Sequence, residues 1–183
     1  MNAHTIKTEF LQAYEPQHQA FVRYCASRAY GLLDVEDLVQ ESLLRALEGY
    51  ERLRDKERLL GFLIGIANNI VRKHSRRRKF RTDWDEDLLA GLESKLQNAE
   101  LAMDIHYLHR AIERLPERAR ETVLLFHISD RSIADIARQQ GRSEGAVKTE
   151  LSRARKQLRT WLTDAPSEVK LTQRFQVYAS ILL

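Results

Sequence analysis

Residues Arg131 to Arg159 read RSIADIARQQGRSEGAVKTELSRARKQLR, and the punctuation of this stretch spells two helices joined by a turn. Ser132 with Asp135 three residues on is a capping-box start, and Ile133, Ile136 and Ala137 are the inward positions of the helix that follows. Gly141 breaks that helix. Ser143 caps a second, in which Val147, Leu151, Ala154 and Leu158 recur at helical spacing and share one buried face. The opposite face carries Gly145, Lys148, Thr149, Ser152, Arg153 and Lys156, the small, hydroxyl and cationic types that reach base edges and phosphates in a major groove. Two amphipathic helices around a Gly turn occur in many helical proteins. The cationic outer face is what turns the pattern into a helix-turn-helix with a DNA-recognition helix.

The rest of the 183-residue chain is built from the same materials. Only seven Gly and three Pro interrupt stretches rich in Leu, Ala, Glu, Arg and Gln, so the expected class is all-α, divided between two small domains. A net charge of +4 hides a sharp segregation. Arg72 to Arg81 holds seven Lys or Arg and no acid, whereas Asp83 to Glu93 holds five acids and no base. Cys25 is the single cysteine, so no intramolecular disulfide can form; lying among Phe21, Val22 and Ala29, it reads as a buried structural thiol. MNAHTIKTEF lacks a signal-like apolar run, and no segment reaches the ~18 uncharged apolar residues of a membrane span. These features predict a soluble, cytoplasmic protein without membrane insertion.

In chain order, Glu15-Pro16 marks a helix start, and Gly31 ends that helix. Asp34 caps the next, DVEDLVQESLLRALEGY, with Val35, Leu38, Val39, Ser42 and Ala46 inward. Its outward face presents Glu36, Asp37, Gln40, Glu41 and Leu44. Acids are favoured near a helix N-terminus in any case, so a solvated face and a protein-docking strip both fit. A polar stretch from Glu48 to Arg58 leads to a third helix with Phe62, Leu63, Ile66, Ala67, Ile70 and Val71 inward and Asn69, Arg72, Lys73, Arg76 and Arg77 outward. Amides at Asn68 and Asn69 beside the cationic run favour a shaped nucleic-acid surface over a solvated tail. His106 and His109, three apart, have no further metal-ligand partner nearby and read as ordinary helix histidines. Pro116 opens a helix with Ala119, Val123, Leu124 and Phe126 beneath the helix-turn-helix, and Ser167 to Leu183 reads as a final amphipathic helix around Val169, Leu171, Phe175, Tyr178, Ile181 and Leu182.

Three blocks, DVEDLVQESLLRAL, LLGFLIGIANNIVRKHSRRRK and AIERLPERARETVLLFHISDRSIADIARQQGRSEGAVKTELSRARKQLR, together resemble a bacterial RNA polymerase sigma factor of the extracytoplasmic-function (ECF) group. The resemblance implies a region 2-like domain over 1–81, an acidic linker over 82–100, a region 4-like helix-turn-helix domain over 101–163 and a C-terminal extension over 164–183. It implies that Asp37, Gln40, Glu41 and Leu44 dock on the clamp helices of the largest polymerase subunit. Tyr50, Arg52, Asn69, Arg72, Lys73, Arg76 and Arg77 would then engage the minus-ten element, with Tyr50 as a candidate stacker for an unpaired base. Lys148, Thr149, Ser152, Arg153 and Lys156 would read the minus-thirty-five duplex, beside the polymerase subunit that contacts this domain. In such proteins the linker, here with Trp84 and Leu88 as candidate anchors, threads the polymerase channels, while its charge run by itself fits a solvated tether; an anti-sigma partner is part of the group's habits.

Three positions depart from the group's pattern. Phe62 replaces a frequent Trp, Lys73 a frequent Asp, and Glu150 a frequent Arg. An acid at 150 would repel phosphate, accept from a cytosine amino group or pair with a neighbouring Arg. The extension admits three roles: capping the second domain, holding the two domains together, or docking a partner. Among rivals, a helix-turn-helix repressor or activator leaves the acidic strip and the NN-to-RRRK helix unexplained. A hydrolase built on Asp83, Asp85 and Asp87 lacks a supporting His. No enzyme activity, metal or cofactor is expected.

Overall fold

The computed structural model describes residues 3–78, 84–162 and 170–181, and these are helical with no strand among them. Helices α1 (Ala3–Tyr14), α2 (His18–Ala29), α3 (Val35–Gly49) and α4 (Leu59–Arg78) make the first half, with short 3-10 turns at Glu15–Gln17, Tyr50–Arg52 and Lys56–Arg58. The second half holds α5 (Trp84–Leu96), α6 (Ala99–Arg114), α7 (Glu117–His127), α8 (Ile133–Gln140), α9 (Glu144–Trp161) and α10 (Leu171–Ile181).

Side-chain caps set the helix starts. The Asp34 carboxylate accepts from the backbone N–H of Glu36 and Asp37, Asn98 from Leu101, Ser132 from Asp135 and Ser143 from Ala146. Gly141 ends α8 at φ +63°, a left-handed conformation that glycine adopts without the steric cost of a Cβ. Periodicity then decides what is buried. Leu38, Ser42 and Ala46 of α3 meet Phe21, Cys25 and Ala29 of α2 and Leu63, Ala67 and Ile70 of α4. Val147, Leu151, Ala154 and Leu158 of α9 pack on α7 and α8.

Two helices were not anticipated. α1 contributes Phe10 and Tyr14 to the core, with the Phe10 ring edge-on to Tyr50 at 5.3 Å. α5 forms inside the 82–100 segment expected as a linker; it lies on α6 and buries Leu92. The side chains of Trp84 and Leu88, and the whole of Asp83, lie outside the described residues, as do the side chains of Asp85 and Asp87.

The two halves share one hydrophobic cluster rather than two separate cores. α10 closes it. Phe175 stacks face to face on His127 at 4.0 Å, Arg174 pairs with the buried Asp104 at 3.4 Å, and the Tyr178 hydroxyl lies 2.9 Å from His109 Nδ1. Burying Phe175 and Tyr178 contributes roughly 1.5–3 kcal/mol each. Val169 and Leu182, the outer apolar positions expected of this helix, are outside the described residues.

Burial under α10 lowers the pKa of both His109 and His127 from 6.5 to about 4. His127 Nε2 is held as an acceptor by the Arg155 Nε donor at 3.2 Å. The unfolded chain therefore binds more protons than the folded one below its ordinary histidine pKa, so stability is full above about pH 6.5 and falls as the pH drops toward about 4. His127→Phe removes one of these groups. Thermal melts from about pH 7 to about pH 4.5 are expected to show a shallower loss of Tm for this variant than for the parent chain.

Candidate nucleic-acid and polymerase-binding surfaces

The turn at Gly141 and the Ser143 cap aim α9 so that its apolar stripe faces α7 and α8. Lys148, Thr149, Ser152, Arg153 and Lys156 consequently stand exposed along one outer face. Lys148 lies 3.7 Å from Glu144, an exposed i, i+4 pair that leaves its ammonium in water. The Thr149 hydroxyl donates back to the Gly145 carbonyl at 2.9 Å, which fixes its rotamer and leaves its lone pairs outward.

On α3 the inward stripe leaves Asp37, Gln40 and Leu44 exposed, with Glu41 half-exposed and bonded to Arg45 at 2.5 Å. Leu44 is 65% exposed, a large apolar side chain left in water beside acids. On α4, Asn69, Arg72, Lys73 and Arg76 are exposed, and Arg72 donates to the Asn69 Oδ1 at 2.9 Å. The Arg77 side chain lies outside the described residues. Arg52 is exposed at the turn before α4. The first half thus pairs an acidic-apolar strip with a cationic, amide-bearing helix, and the second half carries a helix with an exposed cationic face.

Comparison with known families places this layout. Residues 12–81 match Sigma-70 region 2, and residues 105–158 match Sigma-70, region 4. The chain is 32% identical over 124 residues to the ECF RNA polymerase sigma factor EcfG of Rhodopseudomonas palustris, covering 67% of this chain and 68% of that protein. The chain belongs to the ECF group of sigma-70 family sigma factors. It is also 33% identical over 126 residues to the ECF RNA polymerase sigma factor SigF of Caulobacter vibrioides, covering 68% of this chain and 69% of that one. To the RNA polymerase sigma factor SigV of Bacillus subtilis it is 29% identical over 163 residues, covering 87% and 94%.

Within this sigma factor, Tyr50 is not placed as expected. It is 4% exposed, held against Phe10 with the Lys56 ammonium over its ring at 3.7 Å, so the ring is committed to the core and unavailable to stack on a base. Beside it, Leu53, Arg54, Asp55, Arg58, Gly61 and Phe62, together with Gln139, line a depression of about 350 Å³.

Glu150 also departs from a reading role. Its carboxylate pairs with Arg142, whose guanidinium also donates to the Gln140 side-chain oxygen at 3.1 Å and the Ala146 carbonyl at 3.2 Å. Of the three outcomes open to an acid at 150, pairing with a neighbouring Arg is the one observed. The pair braces the turn of the helix-turn-helix against the start of α9. Its side chains are 16% and 22% exposed, so removing one partner strands a largely buried charge.

Periodicity did not reveal the polar seam between the halves. Arg28 Nη1 bonds Glu113 at 2.6 Å, the Asn68 amide Nδ2 donates to Glu121 Oε2 at 3.5 Å, and Arg131 bonds Gln17. Their partners lie far apart in sequence, and none carries a local signature. Among the described residues no cluster is placed to hold a metal ion, and no helix is long and apolar enough to cross a membrane.

Glu150→Ala is expected to destabilise the protein by about 1–3 kcal/mol, because Arg142 keeps its burial and loses its counter-charge. Denaturant melts of Glu150→Ala and the double variant Glu150→Ala/Arg142→Ala check this. The double variant should lose less than the sum of the two singles.

Proposed function

We propose that this sigma factor joins core RNA polymerase through the α3 strip, seats α9 in the minus-thirty-five duplex and uses α4 with the preceding turn to hold the melted minus-ten strand. Sigma factors are non-enzymatic initiation factors, and core RNA polymerase and promoter DNA are the partners this family implies. One observation supports the reading above others: the exposed Leu44, flanked by Asp37, Gln40 and Glu41, shares a chain with the exposed cationic face of α9. A regulator that acts on DNA alone has no use for the Leu44 strip, whereas an exposed leucine set among Asp37, Gln40 and Glu41 suits the mixed apolar and polar surface of a protein partner such as the polymerase clamp helices.

The chemistry of the two DNA surfaces divides the work. Arg153 and Thr149 offer a fork donor and a hydroxyl suited to base edges, with Lys148, Ser152 and Lys156 on phosphates around them. Asn69 supplies an amide that both donates and accepts, the form suited to the edge of an unpaired base, while Arg72, Lys73, Arg76 and Arg77 supply cations for the single-stranded backbone. With Tyr50 in the core, Phe62 and the arginines of the neighbouring depression are the groups left to face an unstacked base. The 82–100 segment then lies between two DNA-binding units, where its acids would repel duplex DNA and suit a basic polymerase channel.

Run-off transcription with purified core polymerase and a random-sequence promoter pool tests the proposal. Initiation above core alone is expected, and its absence on every template would refute the reading. On a promoter recovered from that pool, Arg153→Ala should weaken minus-thirty-five duplex binding by about 1–3 kcal/mol and relax sequence preference. Arg76→Ala should weaken binding equally on all sequences with a shallower salt slope. Leu44→Ser should weaken core polymerase binding by more than about 1 kcal/mol without changing binding to duplex DNA.

A further inference from the structure

Arg142 stands in the turn of the helix-turn-helix, one residue before the Ser143 cap of α9. The start of a recognition helix lies against DNA, where its free backbone N–H groups and any nearby cation meet phosphates. Lys148, Arg153 and Lys156 of α9 are exposed, as such contacts require. Arg142 is not. Its side chain is 16% exposed, and its guanidinium turns back on its own chain. Nη1 donates to the Glu150 carboxylate and to Gln140 Oε1 at 3.1 Å, and Nη2 to the Ala146 carbonyl at 3.2 Å. Gln140 is itself fixed, because its Nε2 donates to Glu121 Oε1 of α7 at 3.0 Å.

Glu150 sits two turns into α9, on the flank between the buried stripe and the outer face. That flank borders a depression of about 420 Å³, lined by Gly145, Thr149 and Arg153 of the reading face and by Arg142, Glu150 and Pro116. The ion pair therefore shares one space with the two side chains suited to base edges. An arginine binds a carboxylate and a phosphate through the same charge-assisted N–H donors, so Glu150 occupies donors that a DNA phosphate would take. The consequence is specific to sequence reading. A cation on a phosphate strengthens binding on every sequence alike, whereas base contacts distinguish one sequence from another and need a helix held in a fixed pose.

We infer that Glu150 is a specificity-determining residue that acts through Arg142. By engaging the guanidinium it withholds one phosphate contact from sequence-independent binding, and it braces the turn that aims Thr149 and Arg153. The inference rests on the reading of α9 as the helix that enters the minus-thirty-five duplex. An acid on a cationic helix then serves discrimination without touching a base. Without Glu150, a largely buried cation is left whose strongest available counter-charge is a phosphate.

Two fluorescent duplexes test this with the full-length chain: one of random sequence, and one that the parent chain selects from a random pool. Affinities are read from ~50 to ~200 mM salt. Glu150→Gln keeps the size of the side chain and removes its charge. It should tighten binding to the random duplex by roughly fivefold at ~50 mM salt and steepen the salt slope by about 0.9, the signature of one added phosphate contact. The selected duplex should gain less, because the turn is no longer braced, so the preference between the two falls. A purely structural role for the pair would weaken binding and steepen nothing. Arg142→Ala/Glu150→Gln has no cation to release and should show the parent's slope on the random duplex. Arg142→Ala alone should also keep that slope, and it serves if Glu150→Gln does not fold.

An unchanged slope in Glu150→Gln, or equal gains on both duplexes, would overturn the inference. A double variant that keeps the gain would show Glu150 repelling phosphate directly and would overturn the route through Arg142. A shallower slope in Arg142→Ala would place Arg142 on a phosphate already, with the same result. Arg153→Ala on the same duplexes separates this from the underlying reading. If Arg153→Ala leaves the preference intact, α9 does not read the element and the proposed function fails there. If Arg153→Ala removes the preference while Glu150→Gln changes nothing, only the role of Glu150 fails.

Discussion

A buried guanidinium governs how this chain closes. The Arg28 side chain is 4% exposed, and a cation so far from water is tolerated only when its donors are matched by acceptors and an opposite charge. α2 cannot supply that charge. It comes from Glu113 on α6, at 2.6 Å, while Asn68 of α4 takes the Nε donor at 3.3 Å. Glu113 in turn bonds Arg120 at 3.0 Å, and the Arg120 guanidinium, its pKa lowered by burial, also donates to the Leu115 carbonyl at 3.0 Å. One carboxylate thus holds a cation from each half. The approach of α6 and α7 to α2 and α4 follows from satisfying Arg28.

This seam has the composition of a contact made to part. Its polar groups are matched, yet several are half exposed, and interfaces between units of one chain are ordinarily of this separable kind. Parting them returns Arg28, Arg72 and Asn68 to water, where solvation compensates much of what is lost. Part of the apolar share falls on α10, whose Phe175 and Tyr178 bury against histidines that burial keeps neutral, and part on the packing of α7 on α2 and of α8 on α4. The net charge of +4 is modest, but exposed cations attract any polyanion, and Glu117 of α7, paired with Arg72, neutralises part of that field on α4.

Much of the layout could be read from residue spacing. The stripes of α3 and α9 came out as read because a helix with one apolar face has only one way to bury it, and the caps at Asp34, Ser132 and Ser143 act within their own first turns. The surfaces follow by subtraction: whatever the stripe does not use faces water, which is why Leu44, Asn69 and Arg153 are where spacing puts them. Tyr50 shows the limit of that logic. The resemblance implied a stacker for an unpaired base at this place, but α1, a helix the sequence reading did not include, brings Phe10 to it. α5 was hidden by its acids, since its packing depends on the buried Leu92 and the neighbouring α6.

Glu150 divides the two kinds of information most clearly. A carboxylate on a helix with a cationic outer face admits repulsion of phosphate, base contact or pairing with a neighbour. Local spacing cannot choose among these, because Arg142 lies across a turn whose geometry depends on Gly141 and on the packing of α8 against α9. The amino-acid order settled the helices other than α1 and α5, the caps at Asp34, Ser132 and Ser143, the apolar faces and the family, most of which depend on neighbours within a few residues. Packing settled which exposed-looking groups were spoken for: Tyr50 by Phe10, Glu150 by Arg142, Asn68 by Tyr24 and Arg28. A charge or an aromatic ring finds its partner through space, and that distance is set only when the helices have closed.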